Sequence, residues 1–542
     1  MSGKLISYGA DSQSKIIEGV NKVADAVKIS LGPAGSGVLI SNDFTSPEIS
    51  RDGATIAKSI TFSDEALNSG ARLVRDAASL SESQSGDSTT STIVLAQELI
   101  NKGQKAVQTG SNVNELKSGM LKAEKWIIDY ISKNSIPVDG DFEKIRKVAT
   151  ISANNNPEIG DLIVKCMQQV GQDGIITADL GYGLDNSVDI TTGMEINRGW
   201  ANPQFVTSAT DGKCVLENPY ILVSNERISS INQIINVLRA VNSNPILIVA
   251  NEIDDVVMNF LIINTLSGQL RCCVVKEIDF GDNRKNVMND IAVATGAAFI
   301  TPENNVSLAN IETVEYLGTA KKVVVSRNST VIFEGGGEKD IIEKRVEVLK
   351  ESLNNTTSDF DKKKFEKRIA SLAGGVAVIK VGGSTQVEQT NIRQVVEDAI
   401  LASKCSIQEG VVPGCGYVYF HSSLDVEKDK AFWKSLSRNE VDGAKIVFSS
   451  LPVILKTVVS NAGIDSGVVL QELKKKKNTP AYGFNAKTKE YVNLIEAGVL
   501  DSAKCIRVAL ENAISTASMI LTIGCVIVNE PSKDSSPVNN LM

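Results

Sequence analysis

The chain has 542 residues, of which 42% are hydrophobic, so it is long enough for about three domains with full cores. Its formal net charge of −8 argues against general binding to nucleic acid or to anionic membranes, because both would repel it. The only histidine is His421 and the eight cysteines form no CxxC pair, which argues against a zinc site and favours free thiols in a reducing compartment.

Helical periodicity dominates both ends of the chain. Apolar residues recur at helical spacing in segments 64–80 and 89–106, and a similar pattern covers 395–407. Segment 512–528 is strongly apolar but slightly short for a membrane span, so a buried helix or strand is predicted there. The start of the chain lacks the apolar core of a signal peptide, and the polar tail after Glu530 is predicted to be disordered. These features predict a soluble, intracellular protein.

The middle of the chain, from about 192 to 376, has a different pattern. Short apolar runs alternate there with helical stretches, which predicts an α/β domain inserted into a helical one. Gly193 at its start and Gly374 and Gly375 at its end are either ordinary turn residues or a hinge. The predicted strands are 220–223, 246–250, 272–275, 322–325 and 331–333. Farther on, the basic run 474–477 is predicted to be a solvated loop.

The strongest local motif is GDSTTST, residues 86–92, directly before an apolar helical pattern. Glycine permits close approach of the backbone to a ligand, and successive N–H groups and hydroxyls at a helix start suit a phosphate chain. Asp87 adds a hard carboxylate of the kind that Mg²⁺ prefers. The motif is not a Walker P-loop, and taken alone a Ser/Thr-rich helix cap explains it at least as well.

Two acidic residues and a second glycine-rich turn accompany this motif. The turn is SLGPAGSGV at 30–38, while Asp52 precedes a glycine in ISRDGATIA and Asp398 lies in VVEDAILAS on a predicted helix. Phosphoryl transfer to water needs metal-bound phosphates and a carboxylate that orients the attacking water, so both acids are candidates for that role. Each of them, taken singly, is also explained as a helix cap or a surface charge.

Taken together, the motifs match one family. The segments LGPAGSGVLI, SRDGATIAKSI, GDSTTSTIVLAQELI, ATISANNN, LAGGVAVIKVGGSTQVE, VEDAILASKCSIQEGVVPGCG and GVLDSAK occur in the order and approximate spacing of the group I chaperonins. From about residue 3 to residue 528 the chain resembles this GroEL family. Seven separated motifs agree in register, so the match is highly specific. Its departures from the family pattern suggest a divergent member, organellar or phage-encoded.

The resemblance implies an α+β multidomain subunit. A mostly helical equatorial ATP-binding domain would comprise 1–136 and 413–542, and a small intermediate hinge domain would comprise 137–192 and 376–412. The inserted α/β apical domain, which would bind polypeptides, would comprise 193–375.

The resemblance also assigns site residues by motif. Asp398 and Asp52 would be catalytic, and Asp87 would hold Mg²⁺. The nucleotide would be contacted by Ser30, Leu31, Gly32, Pro33, Arg51, Asp87, Ser88, Thr89, Thr90, Ser91, Ile151, Ser152, Gly414, Cys415, Asn485, Ala486 and Asp501. Segments 231–238 and 256–263 have the pattern of helices with apolar stripes, which without the resemblance would be ordinary core faces. The residues that match the family's polypeptide-binding surface are Trp200, Phe205, Ile235, Leu238, Met258, Ile262 and Ile263.

The implied activity is ATP hydrolysis coupled to protein folding, with ATP and Mg²⁺ as cofactors. The implied partners are non-native polypeptides and further copies of the chain, in a ring of seven subunits, with a cochaperonin left open. Neither nucleic acid nor a membrane is expected as a partner. The expected location is the cytoplasm of a bacterium, or of an infected bacterial host if a phage encodes the chain.

Four departures from the family pattern bear on the site. Ser88 and Ser91 stand where the family has glycine and threonine, Cys415 replaces a glycine near the base, and Arg51 stands where lysine is usual. Ser88 would be strained if its position requires a positive φ.

Two other classes of protein share some of these features. A protein kinase is excluded because DFG at 279–281 and VAVIK at 376–380 occur in reverse order and no HRD loop exists. A scaffold that keeps the chaperonin fold but turns ATP over poorly is the competing hypothesis. The presence of Asp52, Asp87 and Asp398 argues against it.

Overall fold

The structure is a computed structural model that describes residues 4–41, 47–138, 140–171, 174–181, 183–208, 212–276, 278, 281–301, 308–356 and 359–529. The chain forms two compact units. The first unit is Met1–Val164 together with Gln394–Met542, and the second unit is Lys165–Arg393. The tail that was predicted to be disordered lies outside the described residues.

The first unit begins with a strand, a long helix and a two-stranded ribbon, which further helices follow. In chain order these elements are β1 (Lys4–Tyr8), α1 (Gly9–Val27), β2 (Val38–Ile40), β3 (Glu48–Ser50), α2 (Gly53–Ser59), α3 (Glu65–Ser85), α4 (Thr89–Gln108), α5 (Val113–Asn134), α6 (Phe142–Ser152) and α7 (Pro157–Val170), whose last residues belong to the second unit.

The second unit is an α/β structure in which strands and helices alternate. Its elements are β4 (Ile175–Leu180), β5 (Ser187–Ile196), β6 (Cys214–Glu217), β7 (Tyr220–Ile228), α8 (Ile231–Val241), β8 (Ile246–Ile253), α9 (Asp255–Leu266), β9 (Cys272–Lys276), α10 (Gly281–Thr295), β10 (Phe299–Ile300), β11 (Gly318–Val325), β12 (Thr330–Gly335), α11 (Lys339–Asn355), α12 (Asp359–Ala373) and β13 (Gly375–Val381).

The chain then returns to the first unit through one long helix, which begins in the second unit. The remaining elements are α13 (Gln386–Glu409), β14 (Val411–Pro413), α14 (Tyr417–Asp425), α15 (Lys430–Lys434), α16 (Arg438–Ser450), α17 (Val453–Asn461), α18 (Ser466–Lys475), β15 (Tyr482–Asn485), β16 (Glu490–Asn493), β17 (Leu500–Ser502), α19 (Ala503–Leu521) and β18 (Cys525–Asn529).

Two of the predicted helices are confirmed as α3 and α4. The α3 helix begins after Asp64, whose carboxylate accepts the N–H groups of Ala66 and Leu67. It runs one turn beyond the predicted end, because polar residues there are compatible with a helix and the first residue to leave helical geometry is Gly86, with φ of 71°.

The first unit packs its helices around one apolar core, to which both ends of the chain contribute. Residues on α4 and α19 such as Ile93, Leu99, Ile514 and Ala517 are almost fully buried in it. Antiparallel β1 and β18 pair from Lys4↔Asn529 to Tyr8↔Cys525. This pairing and the shared core explain why both ends carry the same helical pattern. The apolar segment 512–528 was predicted to be a buried helix or a strand. It contains both, first the buried end of α19 and then most of β18.

The second unit contains a ten-stranded sheet with the path β4-β13-β5-β12-β11-β7-β8-β9, in which β10 also pairs with β7 and β6 with β11. Strands β7, β8 and β9 are parallel and are connected by α8 and α9. Leu222, Ile248 and Val274 are fully buried, as expected for parallel strands whose two faces are both covered. All five predicted strands are confirmed, and each is extended by at least one residue.

One stretch of the described chain, Arg438–Asn461, is long and apolar enough to cross a membrane. It comprises α16 and α17, and 61% of its most apolar window is buried inside the protein. Buried helices in the cores of soluble proteins can be equally long and apolar.

The basic run at 474–477 was predicted to be a loop, but only part of it is one. Lys474 and Lys475 form the last turn of α18, where their charges interact favourably with the helix dipole. All four lysines are exposed, so the run is solvated.

The buried His421 should make the free energy of unfolding depend on pH. Its side chain is buried on α14, stacks on Tyr417 with ring centroids 4.0 Å apart, and its Nε2 has no partner among the described residues. Burial lowers the pKa of His421 from 6.5 to about 4. Between these values the unfolded chain binds a proton that the folded chain does not, so the free energy of unfolding falls as the pH is lowered from 6.5 to 4, by on the order of 3 kcal/mol in all.

We therefore expect His421→Phe to remove about 2 kcal/mol of the loss of unfolding free energy between pH 7 and pH 5. Urea unfolding of both proteins at the two pH values measures the difference. Tyr417→Phe, which keeps the histidine, should retain the wild-type dependence. The same pH dependence in wild type and His421→Phe would contradict the burial of a neutral imidazole.

Candidate functional site

A cavity of about 540 Å³ lies within the first unit. This volume is in the range of small-molecule binding sites. Its walls come from segments far apart in the chain, including the α3–α4 loop, the end of α6, and parts of α13, α17 and α19.

The α3–α4 loop presents the start of a helix to this cavity. Gly86 and Ser88 both have left-handed backbones, with φ of 71° and 73°, and α4 begins at Thr89. The Ser88 side chain makes no capping hydrogen bond to the helix. The first N–H groups of α4 are therefore not capped by their own N-cap residue, which is the arrangement that binds anions at helix N-termini.

The left-handed conformation confirms that position 88 requires a positive φ. A non-glycine residue in this region costs about 1 kcal/mol or more, so Ser88 is a strained replacement for the family's glycine. Gly86 has a second constraint, because a Cβ there would lie 2.2 Å from Cβ of Leu401 on α13. This close approach sets α13 directly against the loop.

Three carboxylates besides that of Asp501 line the same cavity. Asp87 lies in the loop, Asp398 on α13 and Asp52 immediately before α2. Although Asp87 is exposed to the cavity, the protein around it removes most of its hydration and raises the pKa of its carboxyl group. Burial, and then the charges of Asp52 and Asp87, raise the pKa of Asp398 well above its usual value. Acids with raised pKa values in a cleft are candidates for catalysis.

Each of the other two carboxylates has identifiable partners. The Asp52 carboxylate caps α2 by accepting N–H groups of Ala54 and Thr55, at 3.3 Å and 2.7 Å. Asp87 accepts the backbone N–H of Ser88 and, at 3.1 Å, the hydroxyl of Ser152. Asp52 is thus both a helix cap, as its sequence context allowed, and part of the cavity wall.

The turn at 30–33 forms another wall. Gly32 has φ of 87°, and the Ser30 hydroxyl donates to the carbonyl oxygen of Val27 at 2.9 Å. Asn461, which the sequence did not indicate, donates to the carbonyl oxygens of Lys28 and Leu31 at 2.9 Å and 2.8 Å. Its amide thereby fixes the turn to the end of α17.

The C-terminal wall contains Asp501 and Cys415. Burial, and then the charge of Asp87, raise the pKa of Asp501 to about 7. Cys415 adopts φ of 59°, so it too is a strained residue where the family has glycine. Gly414 does not line the cavity, but it packs against this wall, since a Cβ there would come within 2.9 Å of Oδ1 of Asp501.

The cavity brings together most of the residues assigned by motif. Those that line it are Ser30, Leu31, Gly32, Pro33, Arg51, Asp52, Asp87, Ser88, Thr89, Thr90, Ser91, Ile151, Ser152, Asp398, Cys415, Asn485, Ala486 and Asp501, whereas Gly414 does not. Sequence analysis missed the basic side chains Arg146, Lys147 and Lys487 on the same walls. The signal was present for the first two, since they precede ATISANNN within one helix.

The side-chain donors of the cavity suit Mg²⁺. Among the described residues, no group of three or more His, Cys, Asp or Glu side chains is placed to hold a metal by itself. This fits Mg²⁺, which is commonly held by one or two carboxylates together with substrate phosphates and water. Burial is the main cause of the raised pKa of Asp87, and a bound divalent ion would stabilise the charged form of this carboxylate.

A second candidate surface lies on the second unit. Helix α9 exposes Val256 at 67%, Ile263 at 65% and Leu266 at 64%, and Phe260 lies between them on the same face. We call these four residues the α9 stripe. Helix α8, which contacts α9, carries the half-buried Ile235 and Leu238. An exposed apolar patch of this kind is characteristic of a protein-binding surface.

The predicted polypeptide-binding set divides between this surface and the core. Phe205, Met258 and Ile262 are only 1%, 8% and 5% exposed and pack in the core of the second unit, so they are not available to a partner in this structure. Trp200, Ile235 and Leu238 are half-buried, and Ile263 is exposed. Helix α9 is apolar on both sides, and its inner face holds Met258 and Ile262.

Comparisons with known proteins identify the family and agree with the fold. The TCP-1/cpn60 chaperonin family model matches residues 23–244 and 230–531. Two crystal structures of the chaperonin gp146 from the bacteriophage EL 2 (Pseudomonas aeruginosa), both in the presence of ATP-BeFx, are similar in fold, with TM-scores of 0.74 and 0.65. Each is 22% identical, and each match covers 97% of this chain and 99% of the phage chain. The multidomain α+β fold and the resemblance found in the sequence are confirmed: the chain belongs to the TCP-1/cpn60 chaperonin family.

Proposed function

We propose that the chain is the subunit of an ATP-dependent chaperonin, which binds non-native polypeptides and promotes their folding through ATP binding and hydrolysis. One observation carries the proposal: the N-terminus of α4 and the carboxylates of Asp52, Asp87 and Asp398 converge on one cavity. An uncapped helix start suits phosphates, and carboxylates suit the metal and the water that hydrolysis requires. The presence of ATP-BeFx in the similar phage structures supports a nucleotide as the ligand.

Each part of the cavity has a role in this proposal. The N–H groups and hydroxyls of 89–91 bind the phosphates, and Asp501 accepts hydrogen bonds from the ribose hydroxyls. Asp87 holds Mg²⁺, which supplies positive charge to the phosphates when it is bound. Asp398 orients a water molecule and takes its proton as the water oxygen attacks the γ-phosphorus and the bond to the ADP oxygen breaks. Asp52 adds a second carboxylate beside this position.

Exposed strand edges support a ring of identical subunits. In the β2–β3 ribbon, Leu39 and Ile49 are cross-strand partners and are 66% and 67% exposed. In the β1–β18 ribbon, Ile6 and Ile527 are partners and are 49% and 62% exposed. Isolated two-stranded ribbons are marginal in water and their open edges favour further pairing. A contact between one ribbon and the other ribbon of the next copy is heterologous, and such contacts form a ring when the rotation from copy to copy closes.

We assign the protein to the cytoplasm. Two measurements on the purified protein test its proposed activity and assembly. Steady-state hydrolysis of Mg²⁺-ATP distinguishes a chaperonin from a scaffold that keeps the fold but turns ATP over poorly. Electron microscopy with and without ATP gives the number of subunits per ring, for which we expect seven. Absence of both turnover and rings would overturn the proposal.

Asp87→Ala should weaken binding of Mg²⁺-ATP by at least about tenfold, because it removes the carboxylate assigned to the metal. Titration of ATP with and without Mg²⁺ measures the effect. The loss should be confined to the metal complex, so that affinity for metal-free nucleotide changes much less. Asp76→Ala, which removes an exposed carboxylate on α3, is the matched control. Equal affinity of wild type and Asp87→Ala for Mg²⁺-ATP would exclude this role.

A further inference from the structure

Two cysteines from different helices meet beside the candidate nucleotide cavity. Cys405 lies on α13 and Cys505 on α19, and both side chains are buried. Their sulfur atoms lie 3.7 Å and 3.4 Å from the same acceptor, the backbone carbonyl oxygen of Ser85. Each thiol is also close enough to affect the protonation of the other, which lowers the pKa of Cys405 and raises the pKa of Cys505. They form a pair, and are not two isolated core residues.

The position of the pair links it to the candidate catalytic groups. Ser85 ends α3, two residues before Asp87. Cys405 follows Asp398 by two helical turns on the same face of α13, since seven residues are close to two full turns. Cys505 follows Asp501 by four residues. The Ser85 carbonyl is thus the meeting point of the three segments that carry these carboxylates.

The cavity gives small reagents access to this pair, because Cys505 lines its wall. A second set of clustered thiols, Cys214, Cys272 and Cys273, is buried in the core of the second unit and lines no part of this cavity. Cys415 does line the cavity, but burial raises the pKa of its thiol to about 12, which keeps it in the unreactive protonated form. Within the pair, by contrast, the lowered pKa of Cys405 makes it the attacking thiolate, and Cys505, whose raised pKa keeps its thiol protonated, supplies the second thiol.

We propose that Cys405 and Cys505 are a redox-sensitive modification site, which a peroxide entering through the nucleotide cavity converts to a disulfide that slows ATP turnover. One thiolate attacks the peroxide, the O–O bond breaks, and a sulfenic acid and one water molecule form. The second thiol then displaces the hydroxyl group of the sulfenic acid, which leaves with a proton as a second water molecule. Both sulfur atoms are oxidised and the peroxide is reduced, so the step is balanced without a further reactant.

The disulfide would affect turnover through the Ser85 carbonyl and α13. Neither sulfur atom carries a proton after oxidation, so the carbonyl loses its thiol donors next to the loop that holds Asp87. The new bond also ties α13, which carries Asp398, to α19. We expect ATP turnover to fall by about tenfold, equivalent to roughly 1.4 kcal/mol of activation free energy. This expectation about turnover rests on the proposed function, whereas disulfide formation does not.

The test treats the full-length protein with hydrogen peroxide, alkylates the remaining thiols, and maps the peptides by mass spectrometry. We expect a cross-linked pair of peptides containing Cys405 and Cys505 that has lost two hydrogen atoms and is restored by dithiothreitol. Mg²⁺-ADP should slow its formation because it fills the cavity. A Cys525→Ser background removes the exposed thiol on β18, which would react independently of the cavity.

Two variants separate the effect on turnover from general oxidation. Turnover of Cys405→Ala should be insensitive to peroxide, whereas that of Cys272→Ala, in the second unit, should fall as in the wild type and recover with dithiothreitol. If Cys405→Ala does not fold, turnover of the wild type before oxidation, after it and after reduction gives the same answer. Peroxide that leaves the Cys405–Cys505 peptides unlinked, or links them without changing turnover, would overturn the proposal. An absence of turnover in the reduced wild type would instead refute the proposed ATPase, because disulfide mapping does not depend on it.

Discussion

Asp398→Ala is expected to bind Mg²⁺-ATP and to hydrolyse it at least about a hundredfold more slowly than the wild type, because general base catalysis contributes roughly 10²–10⁴-fold. The structure places Asp398 on the cavity wall, where burial and the charges of Asp52 and Asp87 raise its pKa. A carboxylate with a raised pKa is a better proton acceptor than an ordinary one. Binding should survive, since the phosphates and the metal are assigned to the α3–α4 loop.

The measurement pairs steady-state ATP hydrolysis with a direct titration of nucleotide. Asp398→Asn keeps the shape of the side chain and removes its charge, so it should be as slow as the alanine variant if proton transfer is the role. Glu397→Ala is the matched control, because it removes the neighbouring acid on α13, which does not line the cavity. Wild-type turnover in Asp398→Asn would show that the carboxylate is not the base.

Local features of the site followed from the sequence, and long-range ones did not. The GDSTTST motif predicted a helix start with exposed N–H groups, because such a motif acts through a few consecutive residues. The convergence of Asp87, Asp398 and Asp501 came only from the resemblance to the chaperonins, since no periodicity links positions a hundred or more residues apart. The same limit hid the pairing of Cys405 with Cys505.

The sequence also did not determine the backbone conformation of the loop or the direction of side chains on α9. From the sequence, Ser88 is strained only if its φ is positive, and the structure shows that it is. On α9, the resemblance selected Met258 and Ile262, which face the core, and omitted Val256 and Leu266, which are exposed. The helix has apolar residues on both its inner and its outer side, so periodicity does not distinguish its buried face from its exposed one.

The largest expected effect on polypeptide binding comes from the α9 stripe. The double substitution Val256→Ser and Ile263→Ser removes two apolar side chains that are each about two-thirds exposed. If a bound polypeptide covers both, their loss costs about 3 kcal/mol or more, which weakens capture by at least about a hundredfold. The fold should be unaffected, because substitutions of exposed side chains usually change stability by no more than about 0.5 kcal/mol.

Capture is measured as suppression of aggregation of a chemically denatured protein, with electron microscopy and ATP hydrolysis as checks on assembly. Leu184→Ser is the matched control, because Leu184 lies in the same unit, is 74% exposed and is outside the stripe. We expect the control to capture the denatured protein normally and the double variant to fail while its rings and its ATP turnover persist. Normal capture by the double variant would place the binding surface elsewhere. If both proteins lost capture equally, the second unit would bind through general apolar exposure, and α9 would have no special role.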